Sequence, residues 1–140
     1  MSSGTHAPLQ DLPATIAPAF DLPDSTAREG MLRLREMILG VAADLPEIGR
    51  ISEELRWGQP AYLTPETGAG SSLRIGTHKA ARFAMFVHCR SRLILEYLEI
   101  FPGLDRIEGT RAVLFDTVEQ IDPERHGLLA RRALTYHLVR

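Results

Sequence analysis

Arg82-Phe83-Ala84-Met85-Phe86-Val87-His88-Cys89 is the run whose reading decides the fold. Phe83, Met85 and Val87 alternate with Ala84, Phe86 and His88. A period of two marks a β-strand, because successive side chains leave opposite faces of the pleat. Both faces of this strand are largely apolar. It is therefore expected inside a sheet, covered on both sides, or covered on one side by the N-terminal segment.

Upstream, Ser71 to Gly76 alternates in the same way, Leu73 and Ile75 against Ser72 and Arg74. Leu55, Trp57, Gln59 and Ala61 alternate with Glu54, Arg56, Gly58 and Pro60. That pattern predicts one strand over 55–61, with Gly58 and Pro60 marking a bulge or an edge. Thr64 to Gly70 reads as a loop. Earlier still, Met31, Leu34, Ile38, Val41 and Leu45 recur at steps of three and four. They predict an amphipathic helix over 26–45, beginning at Asp24, Ser25 or Thr26 and ended by Pro46. Thr26-x-x-Glu29 has the form of a capping box. Downstream, Ile94, Tyr97, Leu98 and Phe101 share one face of a helix over 91–101, stopped by Pro102-Gly103. The segments 104–108 and 111–116 form a hairpin around Gly109. Asp122-Pro123 opens a last helix over 123–137, since Asp caps and Pro at the first position loses nothing. The order is α-β-β-β-α-β-β-α. Hairpin-linked strands with flanking helices make an α+β fold, with a largely antiparallel sheet and helices on one main face.

The 140 residues suit one domain. With 16 basic and 18 acidic residues the formal charge is -2, which gives no electrostatic case for nucleic acid or an anionic membrane as partner. Lys79 is the only lysine; the other cations are arginines, whose planar fork suits carboxylates and phosphates. Cys89 is the only cysteine, so no intrachain disulfide forms, as suits a reducing compartment. No apolar run approaches the roughly 20 residues of a membrane helix. Residues 1–20 lack the early positive charge and apolar stretch of a secretory signal, and a cytoplasmic location is expected. Residues 1–23 are rich in Ser, Pro, Ala and Thr and read as a flexible tail before a domain over 24–140. Within the tail, Leu9, Leu12, Ile16 and Phe20 are apolar and allow part of it to lie on the domain surface.

Arg56-Trp57-Gly58-Gln59-Pro60-Ala61-Tyr62 is the most distinctive run for function. It joins a cation, an aromatic, an amide and a phenol. Such a set either lines a small-molecule pocket or, through Trp57, anchors a protein partner; the alternative is that Trp57 is core. His88 and Cys89 are adjacent on a strand and face opposite ways, so they do not readily share a metal. His126 and His137 lie three turns apart on the last helix. Arg56, Arg74, Arg90, Arg92 and Arg111 either gather around an anion or pair with Glu54, Glu96 and Asp116. Neither a phosphate-binding Gly-rich loop nor a nucleophile elbow is present, and Gly68-Ala69-Gly70 precedes a strand.

Leu55-Arg56-Trp57-Gly58-Gln59-Pro60-Ala61-Tyr62, together with Phe83 to Arg90, Phe101-Pro102 and Glu108-Gly109-Thr110-Arg111-Ala112-Val113, resembles the YdhG-like family of uncharacterised bacterial domains. The resemblance spans about Thr26 to Val139. It implies a frataxin-like two-layer sandwich, with terminal helices packed on an antiparallel sheet. Some relatives are described as iron chaperones feeding iron–sulfur or haem assembly. In frataxins a sheet-face Trp contacts the assembly partner, and acids of the first helix and sheet edge hold iron. Trp57 matches the family motif. The first-helix acids Glu29, Glu36 and Asp44 are interleaved with Arg28, Arg33 and Arg35, so the iron-binding residues do not carry over.

The leading expectation is a non-enzymatic binding module whose sheet around Trp57 meets a protein partner or small ligand. Its binding residues are Arg56, Trp57, Gln59, Tyr62, Arg74 and His88, with no catalytic or metal-ligating residue and no cofactor. One alternative is an intracellular iron chaperone, with iron as cargo. The other is an enzyme or small-molecule binder with a pocket near Arg56, Tyr62, Arg74 and His88. An exposed Trp57 on a flat sheet favours the first reading, and a closed cavity favours the last.

Overall fold

A computed structural model describes residues 12–138. The helical periods become α1 (Ser25–Ala43), α2 (Leu93–Ile100) and α3 (Pro123–Leu134). The alternating periods become β1 (Ser52–Arg56), β2 (Gln59–Leu63), β3 (Leu73–His78), β4 (Ala81–Val87), β5 (Arg106–Glu108) and β6 (Ala112–Phe115). All six strands join one sheet in the order β1-β2-β3-β4-β6-β5, and every neighbouring pair is antiparallel. The fold class is α+β.

The single strand expected over 55–61 is corrected to a hairpin, which makes the order α-β-β-β-β-α-β-β-α. Arg56 pairs with Gln59, leaving Trp57 and Gly58 as a two-residue turn. Their φ angles are 53° and 76°. Positive φ at both central residues is what the type I′ hairpin turn demands, and its twist matches that of the strands it joins. The alternation across 55–61 was misleading because a two-residue turn inverts the phase. Leu55 and Gln59 share a parity in sequence but lie on opposite faces of the sheet.

One face of the sheet meets the helices. Leu73, Ile75, Phe83, Met85, Val113 and Phe115 point there, and Leu34 and Ile38 of α1 and Leu129 of α3 join them in the main core. The Phe83 and Phe115 rings stack with centroids 5.0 Å apart. Gly30 of α1 lies over Phe83; a Cβ there would come within 2.3 Å of the ring, so α1 reaches the sheet only because this position has no side chain. Arg35 of α1 clamps β1 through a two-pronged pair with Glu53, at 2.7 and 3.0 Å. Asp24, not the Thr26 capping box, starts α1: its carboxylate accepts from the Thr26 and Ala27 amides.

Residues 12–23 are not a tail, and the expectation of one over 1–23 is corrected for this part; residues 1–11 lie outside the described residues. Ile16 and Phe20 are fully buried and Leu12 nearly so, all within the main core. The three recur every fourth residue, and fully burying Ile16 and Phe20 is worth about 1.5–3 kcal/mol each, a gain set against the ordering of the segment.

Among the described residues, the second face of the sheet carries no helix from the main core. Strand β4 is therefore covered by helices on one side only. On the other side Ala84, Phe86, Ala112 and Leu114 shield one another in a small cluster of their own.

Candidate functional site

Directly paired residues of an antiparallel ladder share a face. Glu54 pairs with Ala61, Ala61 with Arg74, Arg74 with Phe86, Phe86 with Ala112, and Ala112 with Glu108. This row crosses the open face from β1 to β5. The next row holds Arg56 with Gln59, and Gly76 with Ala84, Leu114 and Arg106. Trp57 stands at the end of that face, on the β1–β2 turn, and is 87% exposed.

Arg74 is the centre of the arrangement. Its Cζ lies 5.2 Å from the centroid of the Trp57 ring and 5.6 Å from that of Phe86. Cation–π contacts of this kind are worth about 0.5–2 kcal/mol each, more where water is excluded. One terminal nitrogen, Nη1, donates to Gln59 Oε1. Gln59 lies flat across β3 because Gly76 has no Cβ, which would sit 2.8 Å from the amide nitrogen. The Nε of Arg74 is buried and has no hydrogen-bond partner. Burial, and after it the charge of Arg111, pull the pKa of Arg74 below the ordinary arginine value. The stack continues past Phe86 to the His78 ring, 6.2 Å away, and His78 Nε2 meets Glu108 at 3.1 Å. Glu108 is shared with Arg111 at 3.4 Å.

A cleft of about 540 Å³ opens beside Arg74, with Arg56, Trp57, Leu63, Ser71 and Ser72 in its walls. It exists because β2 and β3 are registered through Ala61 and Arg74 alone and part beyond that point into the 64–72 connection.

Of the six residues expected at the site, the fold gathers Arg56, Trp57, Gln59 and Arg74. Arg56 is held by Glu54 at 3.0 Å. Tyr62 lines the same cleft, but its ring is fully buried in the main core, on the helix side, and its hydroxyl has no partner. Burial, with the neighbouring Glu53 carboxylate, pushes the Tyr62 pKa well up. His88 lies past the end of β4 in an exposed turn, where Nδ1 accepts from the Arg90 amide. Of the pocket expected from Arg56, Tyr62, Arg74 and His88, the cleft brings the first three together, and His88 is not among its walls. No protein-family model, no curated protein and no solved structure matches this chain. What the site does must be read from its own geometry.

A second polar cluster was not expected. Asp105, just before β5, accepts from His126 Nε2 at 2.9 Å, Tyr97 Oη at 2.5 Å, and Arg125 Nε and Nη2 at 3.1 and 3.2 Å. The His126 tautomer follows from its other nitrogen, which accepts from the Asp122 amide at 2.9 Å. A carboxylate offers about four lone-pair sites, and here four donors fill them. Burial would raise the Asp105 pKa, but the bonds from His126, Arg125 and Tyr97 outweigh it and hold the carboxyl far below its usual range. With the His126 side chain wholly buried and that of Asp105 only 5% exposed, this cluster ties α2, β5 and α3 together, and Asp105 and Arg125 also line an open cleft of about 510 Å³ with Asp122 and Glu119. The only sequence signal for it is the Asp122–His126 spacing at the start of α3. Among the described residues, no three His, Cys, Asp or Glu side chains are placed to hold a metal ion. No helix among them is long and apolar enough to cross a membrane.

Proposed function

We propose that this chain is a binding module whose partner docks on the open sheet face around Trp57. The observation that carries the reading is the state of Trp57 itself, a large aromatic that is 87% exposed and held at positive φ. A non-glycine residue in that region costs about 1–2 kcal/mol. An indole left in water forgoes burial of about 150–250 Å², on the order of 4 kcal/mol. The first term opposes the isolated fold, and the second is a gain the isolated fold leaves unclaimed, which a partner that covers the ring recovers. The groups around it fit binding rather than turnover. Arg74 touches an amide and two rings, which orient and attract but supply neither a nucleophile nor a transferable proton. The cytoplasm remains the proposed location.

Trp57 is the only tryptophan, so its emission reports on this surface alone. The partner would be identified on the full chain in its host, then purified and titrated back. The expected outcome is a blue-shifted emission with loss of acrylamide quenching, and at least tenfold weaker binding by Trp57→Ala, as for an interface hot spot. A partner that binds Trp57→Ala as well as the native chain, leaving the indole open to quencher, overturns the reading.

A further inference from the structure

We propose that the occupant of this face is an acidic polypeptide segment, one carboxylate of which takes the Nε–Nη2 edge of Arg74. The proposal rests on the binding-module reading and specifies its chemistry. Arg74 is a cation without a counter-charge: among the described residues, no carboxylate comes within ion-pair distance of it. Its cationic neighbours on the same face are provided for, Arg56 by Glu54 at 3.0 Å and Arg111 by Glu108 at 3.4 Å. Glu108 is moreover shared between Arg111 and His78, so the strip from Trp57 to β5 is short of negative charge.

The geometry selects a carboxylate. Gln59 occupies Nη1 and leaves the Nε–Nη2 edge unspent. That edge presents two parallel N–H groups at the spacing of the two carboxylate oxygens. An orphaned buried donor costs about 1–3 kcal/mol, which a ligand that pairs it returns. Gln59, Trp57 and Phe86 hold the guanidinium in place beforehand, so little ordering remains to be done on binding. The adjoining cleft favours a chain over a small molecule. It is an open trough of about 540 Å³ running between the parted strands β2 and β3. The Nε atom is buried, and the Trp57 ring lies beside it with the guanidinium carbon 5.2 Å from its centroid.

The test titrates the full chain with a fifteen-residue poly-L-glutamate peptide, with its poly-L-glutamine counterpart, and with inorganic phosphate, following Trp57 emission. The expected result is saturable binding of poly-glutamate that weakens with salt, at least tenfold tighter than the glutamine peptide and not reproduced by phosphate. Arg74→Gln and Arg74→Lys should each weaken it at least tenfold while melting within a few degrees of the native chain. Lysine keeps the charge and loses the fork, so equal binding by Arg74→Lys overturns the bidentate seat. Failure of poly-glutamate to bind, equal binding of poly-glutamine, or an equal response to phosphate overturns the acidic-segment proposal. If Trp57→Ala still loses the native partner in any of those cases, the binding-module reading stands without it.

Discussion

Asp105 shows how much one residue of this chain carries. It receives four hydrogen bonds and sits at the junction of α2, β5 and α3. Removing one partner of a buried pair leaves the other charge uncompensated and costs roughly 3–5 kcal/mol. Arg125 keeps a bond to Asp122 at 2.9 Å, so the lower end applies: Asp105→Asn should lose about 3 kcal/mol in urea unfolding at neutral pH. The pH dependence follows from the direction of the shift. The native pKa lies below the unfolded value, so the contribution is complete above the ordinary carboxylate range and is lost as pH falls through it toward the native pKa. Native stability should therefore fall on going from about pH 5 downward, and more steeply than that of Asp105→Asn. Parallel slopes for the two proteins would mean that Asp105 is not the group responsible.

The β1–β2 hairpin is the element on which site and fold meet. Its turn sets Trp57 at the end of the open face, and its strands bring Gln59 across Gly76 to Arg74. Replacing Trp57 removes the ring whatever the substitute, so two substitutes isolate the turn. Asn tolerates positive φ where Ala does not. Trp57→Asn should melt above Trp57→Ala by about 4 °C, roughly 1 kcal/mol for a domain of this size, with both equally defective in binding. Identical melting temperatures would argue against the left-handed turn. The residues of this element were legible in the sequence as a candidate site. Their arrangement was not, because a period of two reads the same through a strand as across a two-residue reversal.

At the scale of the whole molecule, the N-terminal segment decides whether the helix layer is complete. Ile16 and Phe20 are fully buried against it, and Thr15 Oγ1 donates to the Glu53 carbonyl of β1 at 3.0 Å. A chain lacking residues 1–20 forfeits two large side chains worth about 1.5–3 kcal/mol each. Its melting temperature should drop by more than about 5 °C. An unchanged melting curve would return the segment to the status of a tail.

The sequence by itself determined the α+β class, the three helices, and the strands over β3, β4, β5 and β6, because hydrophobic period is a local property of consecutive residues. It also singled out Arg56, Trp57, Gln59 and Arg74 by their chemistry. Only the tertiary structure decided which of them meet. Trp57 comes from the β1–β2 turn, Arg74 from β3 and Phe86 from β4, and their contact depends on ladder register, which no short window of sequence contains. The same holds for Tyr62, whose phenol went to the core because the turn before it inverted the phase of β2. It holds too for Asp105, whose four donors arrive from α2 and α3 once the sheet has brought them together.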